Sequence, residues 1–294
     1  MIRSVLFIAS LFTIVTTSYA QSVSVMDFRG QAVHFDQTPE RIVTLLPSLT
    51  EFVCALGACA KIVGTDRHSD WPDSILALPK LGVLGDTSVE AIVDLRPDVV
   101  LVTPSSRMAG RLESLGLKVL VLQAENSAQV RAQLTLLGRV LRQSGRADQL
   151  WREIQREIAQ ASESVPASVK GLRVYFEVAP APYAAGAGSF IGEQLARLGL
   201  RNIASVDLGP FPRLNPEFIV RSQPDIIMSV AHELKRLPRR PGWADLAALR
   251  RNQVCGFESS VYQWMVRPGP RMGQAALTIA NCLARLPQSV APSS

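Results

Sequence analysis

Of 294 residues, 47% are hydrophobic and 19% are charged, a balance that excludes a disordered chain and leaves length for two domains with separate cores. The formal net charge is +6, but no motif interleaves basic with aromatic residues, which argues against nucleic acid as a partner. The excess is local: residues 21–142 carry 12 basic and 13 acidic residues, residues 143–169 carry 3 and 4, and residues 170–294 carry 15 and 8. Such a basic half reads either as a solvated face or as contact with an anionic ligand or a membrane-side partner.

Residues 1–20 read as a cleaved secretory signal peptide. Arg3 precedes an apolar run from Val5 to Val15, and Ser18 and Ala20 are the small residues that suit a cut before Gln21. The run is short for a membrane span, and no Cys sits near the cut. A soluble exported protein is expected. Its four cysteines, Cys54, Cys59, Cys255 and Cys282, suggest disulfides in an exported chain. Three pairings are open, and Cys54–Cys59 with Cys255–Cys282 is favoured because each bond stays within one half. A zinc site would need closer Cys spacing and a nearby His.

The elements alternate. Arg41–Leu46 reads as a buried strand stopped by Pro47, and residues 48–57 as a helix capped by Ser48 or Thr50 with Glu51 in its first turn. Residues 61–66 form a strand. Residues 88–97 form a helix capped by Ser88 and limited by Pro97. A strand follows at 98–104, a helix at 105–116 and a strand at 117–123. The second half replays this order: strand 173–178, helix 189–199, helix 215–224 capped by Asn215, strand 225–230, helix 243–251, strand 253–258 and a last helix over 270–286. Continuous apolar strands alternating with helices imply parallel sheets covered on both faces.

One unit is repeated visibly. "VEAIVDLRPDVVLV" (89–102) and "PEFIVRSQPDIIMS" (216–229) share Glu, Ile-Val and Pro-Asp at a constant offset. That period marks a duplicated domain and not a solenoid. Between the halves, residues 147–165 read as one continuous helix, too poor in Gly, Ser and Pro for a flexible linker. The expected organisation is a signal peptide (1–20), an N-terminal α/β lobe (21–142), a bridging helix (143–169) and a C-terminal α/β lobe (170–294).

Two such lobes place a ligand between them, at the loops after the strand C-termini. Those loops carry His68 and Trp71, the 104–107 stretch, Tyr183, Phe211 and Arg213, and the stretch Tyr262, Gln263, Trp264, Arg267 and Arg271. Clustered loop aromatics suit a flat apolar ligand. Arg267 suits a charge-assisted bond to it, whereas Arg271 is expected to pair within its own lobe. His68 and Tyr183 are the side chains here that can reach a ligand-borne metal. Enzyme readings lack support. His68, Ser69 and Asp70 are contiguous, unlike a triad assembled by a fold. The glycines at 186, 188 and 192 miss the dinucleotide spacing, and no carboxylate pair has distinct acid and base roles.

The strand "RIVTLLPSLTE", the loop "SDWP", the paired "E…PD" helices, "RPGPR" and "NCLARL" resemble the periplasmic substrate-binding proteins of cobalamin, haem and siderophore ABC importers, most of all the cobalamin receptors among them. The likeness runs from about Arg41 to Leu286. It implies two lobes bridged by a long helix. Trp71, Phe211 and Tyr183 match aromatic ligand contacts, Arg267 matches a polar contact, and Gln263 stands where an acidic residue is usual. Leu84 and the Thr103–Pro104 pair depart from family tryptophans. The family's second-lobe cysteine is absent near Leu198, which leaves Cys255 as a new partner for Cys282. Glu90 and Glu217 match the glutamates that dock onto the two halves of the permease, one per lobe.

The resemblance therefore implies a monomeric receptor and not an enzyme. It has no intrinsic cofactor and no metal site of its own. It binds a cobalamin-like corrinoid through Trp71, Tyr183, Phe211, Gln263 and Arg267, to which the reading of the cleft loops adds His68 and Trp264, and delivers it to an ABC permease dimer. Haem or a ferric siderophore is the alternative ligand, and a chelatase-like tetrapyrrole enzyme is the alternative of another class.

Overall fold

The computed structural model describes residues 22–287 except Leu84 and Ala181; the expected signal peptide and the departure at Leu84 lie outside the described residues. The described chain begins with a hairpin that the sequence reading lacks, in which β1 (Val23–Met26) pairs antiparallel with β2 (Ala32–Phe35). The buried Asp27 fastens it by accepting from its neighbour Arg29 and from the Val121 backbone N–H.

Next come β3 (Ile42–Thr44), α1 (Pro47–Ala55), β4 (Ile62–Thr65), α2 (Val89–Asp94), β5 (Val99–Val102), α3 (Ala109–Ser114) and β6 (Val119–Val121). The four strands form one parallel sheet in the order β4-β3-β5-β6. Helix α1 departs from expectation at its start. Pro47 does not merely stop the strand but occupies the first helical turn, where its missing N–H costs nothing. Ser48 and Thr50 therefore lie inside the helix and cap nothing, and Glu51 falls in the second turn. The 105–116 helix is split by Arg107, whose backbone is left-handed, so only Ala109–Ser114 is α-helical.

Helix α4 (Ser127–Val140) leads into α5 (Ser144–Ser164), a rod of 21 residues. Arg142, at positive φ, makes the bend between them. Ala147, Leu150, Ile154, Ile158 and Ala161 form its buried stripe, at the spacing of one helix face. The same apolar cluster runs from Leu49 and Leu137 through this stripe to Phe176 and Ile279, so α5 is packed into both halves.

The second half contains β7 (Arg173–Ala179), β8 (Tyr183–Ala184), α6 (Phe190–Arg197), β9 (Arg201–Asn202), α7 (Pro216–Ser222), β10 (Ile226–Val230), α8 (Ala231–Leu234), α9 (Ala247–Arg250), β11 (Val254–Phe257), α10 (Ser259–Met265) and α11 (Met272–Leu283). Its sheet runs β11-β10-β7-β8, with β9 also on β7. Every pairing is parallel except β7 with β8. The fold is thus two α/β lobes with mainly parallel sheets and a long connecting helix. Two helix expectations are corrected. The 243–251 helix shrinks to α9 because Trp243 is fully buried, edge-on to Tyr175. The 262–264 stretch is α10 and not loop. Where α11 crosses α5, a Cβ on Gly273 would overlap Glu157, so only glycine permits that approach. Burial there pushes the Glu157 carboxyl up.

The duplicated unit is reproduced down to its polar contacts. Asp98 accepts from the Arg41 backbone N–H at 2.8 Å, and Asp225 does the same for Arg173. Each arginine then donates to the end of the helix that precedes the aspartate, Arg41 to Leu95 O and Arg173 to Ser222 O. The cysteines pair as Cys54–Cys59 and Cys255–Cys282.

Candidate functional site

Segments that follow the strand C-termini of the two sheets meet each other, Asp70 with Arg267 and Glu125 with Phe190. The loop after β4 is fixed first. A chain of hydroxyls links Thr44 to Thr50 (2.6 Å), Thr50 to Ser69 (2.7 Å) and Ser69 to the Asp66 carboxylate (2.5 Å). Lys80 adds a bond to Ser69 O. These contacts are buried and mutually satisfied, which favours one loop conformation. The loop then presents His68, Asp70 and Trp71 outward, with Trp71 37% exposed.

The residue after Thr50 is Glu51, 1% exposed. Its carboxylate accepts from Arg271 Nη2 (2.5 Å) and Nε (2.9 Å) and from Arg267 Nη1 (2.8 Å). Arg267 also donates to Asp70 (2.8 Å) and to His68 O (3.3 Å). The Arg271 guanidinium lies 4.9 Å from the Trp71 ring and 5.0 Å from the Trp264 ring, so it makes cation–π contacts with indoles from opposite lobes. The expectation that Arg271 pairs within its own lobe is therefore overturned. Its fork matches a carboxylate that only the other lobe brings near. Burial works against the Arg267 charge, but Asp70 and Glu51 outweigh it and hold its pKa above the usual arginine value.

The other expected contacts fall into separate settings. Tyr183, 41% exposed, lies on β8 and bridges to Arg213. Phe211 is half-buried, 6.1 Å from Phe190. The lobes also meet there, where Phe190 N donates to Glu125 O (2.7 Å) and Ser127 N to Glu193 (2.8 Å). Gln263 is exposed on α10 beside the half-buried Trp264. Tyr262, grouped with these aromatics by its sequence, is instead a core residue. It stacks on Phe176 and donates to Glu177 O, and burial raises its pKa. His68 is exposed. Among the described residues no group of three His, Cys, Asp or Glu could hold a metal.

Sequence reasoning missed Glu51 as a site residue. The available signal was a lone carboxylate inside an otherwise uncharged helical stretch, "PSLTEFVCA". It also missed the Glu177 network under the C-terminal end of β7. Glu177 is 1% exposed and receives Arg240 through two bonds (2.5 and 2.8 Å) and the Tyr175 hydroxyl (2.7 Å). Burial, with the Glu177 charge added, raises the Tyr175 pKa and keeps that hydroxyl a donor.

Glu90 and Glu217 each occupy the second position of their helices, capped by Ser88 and Asn215. Their side chains are 76% and 79% exposed, with Arg111 at 3.2 Å and Arg221 at 3.9 Å. Exposed pairs of this kind hold weakly, so both carboxylates are free to change partners.

A family profile described as "Periplasmic binding protein" matches residues 42–260. An uncharacterized ABC transporter substrate-binding lipoprotein, YvrC, of Bacillus subtilis (strain 168) is 27% identical over 272 residues, 89% of this chain and 85% of that one. A cobalamin-binding protein of Halobacterium salinarum is 30% identical over 211 residues, 69% of this chain and 57% of that one. The periplasmic vitamin B12 binding protein BtuF of Vibrio cholerae superposes with a TM-score of 0.69 at 23% identity, covering 83% of this chain and 96% of that one; at that identity the likeness is one of fold.

Proposed function

From the premise that this chain belongs to the periplasmic binding protein family, whose members are substrate-binding proteins and not enzymes, we propose that it captures a cobalamin-like corrinoid between its lobes and delivers it to an ABC permease. One observation supports this reading most. The Trp71–Arg271–Trp264 cluster offers indole surface from both lobes where they meet, in a chain 30% identical to a cobalamin-binding protein. Flat apolar surface held in place before binding loses little entropy on binding a rigid macrocycle. The packing of α5 into both lobes favours small rather than wide closure.

In this reading Trp71, Trp264, Tyr183 and Phe211 line the cleft, and His68, Gln263 and Arg267 supply polar contacts. Glu90 and Glu217 are the two docking points for the permease. Residues 1–20 are removed on export, which mass spectrometry of the periplasmic form would detect as an N-terminus at Gln21. The deciding experiment is titration of purified mature protein with cyanocobalamin, haemin and a ferric catecholate, followed by calorimetry and absorption. Sub-micromolar binding of cyanocobalamin supports the proposal. Tight binding of haemin or the catecholate alone would replace the ligand and leave the receptor role standing.

A further inference from the structure

We propose that Glu51 is the positioning residue of the interlobe cleft. Its buried carboxylate holds Arg267 and Arg271 of the opposite lobe and, through Arg271, sets Trp71 and Trp264 as one wall shared by both lobes. The ligand role of that wall rests on the reading above; the mechanical role of Glu51 does not.

Two observations separate this contact from an ordinary ion pair. The first is burial. The Glu51 side chain is 1% exposed, and those of Arg267 and Arg271 are 13% and 12% exposed. Parting the lobes here would take all three donors from the carboxylate at once, leaving only the water that the opening admits to replace them. The second is connectivity. Thr50 bonds Ser69 and so anchors the loop that carries Trp71. Glu51, the next residue, grips Arg271 and so anchors the cation against which Trp264 packs. One turn of α1 thus governs both sides of the cluster. Opening this side of the cleft requires the three bonds to Glu51, the two from Arg267 to Asp70 and His68 O, and the Arg271–Trp71 cation–π contact to fail together, while the Arg271–Trp264 contact stays within its own lobe. The aperture is therefore two-state and not continuously adjustable.

Hydrogen exchange on the ligand-free mature protein tests this. Glu51→Gln should raise exchange at least about tenfold in residues 66–71 and 260–271 while residues 99–102 and 226–230 keep their wild-type rates. Acrylamide quenching of tryptophan emission should rise with it. Unchanged exchange in the two segments, or a uniform rise through both sheets, would overturn the proposal. Because Glu51→Gln leaves two guanidinium groups short of a partner, Glu51→Leu with Arg271→Met is measured beside it. That pair removes the central ions together and leaves Arg267 its bond to Asp70; the same segmental pattern is expected. With cyanocobalamin as probe, the affinity losses of Glu51→Gln and Trp264→Leu should be non-additive, the double variant falling short of their product by at least about fivefold. Losses that simply multiply would count against Glu51 acting through the wall. If the wild type fails to bind cyanocobalamin, the ligand reading falls, and the exchange pattern still decides the role of Glu51.

Discussion

Glu51 and Arg271 lie 220 residues apart in sequence and meet through two hydrogen bonds of 2.5 and 2.9 Å that tie one lobe to the other. Around this pair the expected ligand residues Trp71, Trp264 and Arg267 converge.

Arg271→Lys keeps the charge and loses both the planar fork and the stacking faces. Urea unfolding should show a loss of about 1–3 kcal/mol, the range for a charged hydrogen bond in a protected site. Near-ultraviolet circular dichroism should weaken in the tryptophan region. An unchanged spectrum would show that the indoles keep their places without the fork.

Asp70 is the exposed partner of Arg267, with its side chain 52% exposed. Asp70→Asn should change stability by less than about 1 kcal/mol. It should also loosen the one Nη1 N–H of Arg267 that Asp70 accepts, the other staying on Glu51, and so raise affinity for haemin, which carries carboxylates, at least about threefold relative to cyanocobalamin. Equal changes for both probes would show that Asp70 does not compete with the ligand.

Glu90→Arg combined with Glu217→Arg should leave cyanocobalamin affinity within about twofold of wild type, because both side chains are exposed and pair only weakly. Uptake into cells that depend on this receptor should be abolished. Loss of ligand affinity instead would move these carboxylates into the binding site.

Asp27 sets a pH dependence. Burial alone would raise its pKa, but donors from Arg29, Gln31 and Val121 outweigh burial and hold it below the ordinary carboxylate value. A carboxyl with a lowered folded pKa contributes stability that is full above the unfolded pKa and is lost as pH falls through the folded one. Wild type should therefore exceed Asp27→Asn at neutral pH by on the order of 1–3 kcal/mol, and the gap should close on acidification below the usual carboxylate range. A gap constant with pH would mean the ionised form is not what fastens the hairpin.

Much of the architecture was legible locally. The Ser88 and Asn215 caps, the Pro-Asp strand starts and the apolar stripe of α5 depend on neighbours within a few residues, and the sequence displays them directly. Errors arose where a distant contact overrode a local signal. Trp243 reads as part of a helix by its neighbours, yet its burial against Tyr175 leaves only a short turn of helix nearby. Tyr262 reads as a cleft aromatic, yet its hydroxyl is drawn inward by Glu177 O. The hairpin of β1 and β2 carries its turn residues in Asp27 and Gly30, which the sequence reading passed over, and it gains its place by packing beside β6 and α4.

By itself the sequence determined a duplicated α/β chain with a stiff connector and two matching exposed glutamates, because periodicity, capping and repetition are properties of the chain. Only the tertiary structure decided what Glu51 does. A glutamate early in a helix looks the same whether water or two arginines surround it. The difference lies in the bridging helix and the two sheets, which bring residues 51, 267 and 271 together where burying a charge is costly unless it is paired.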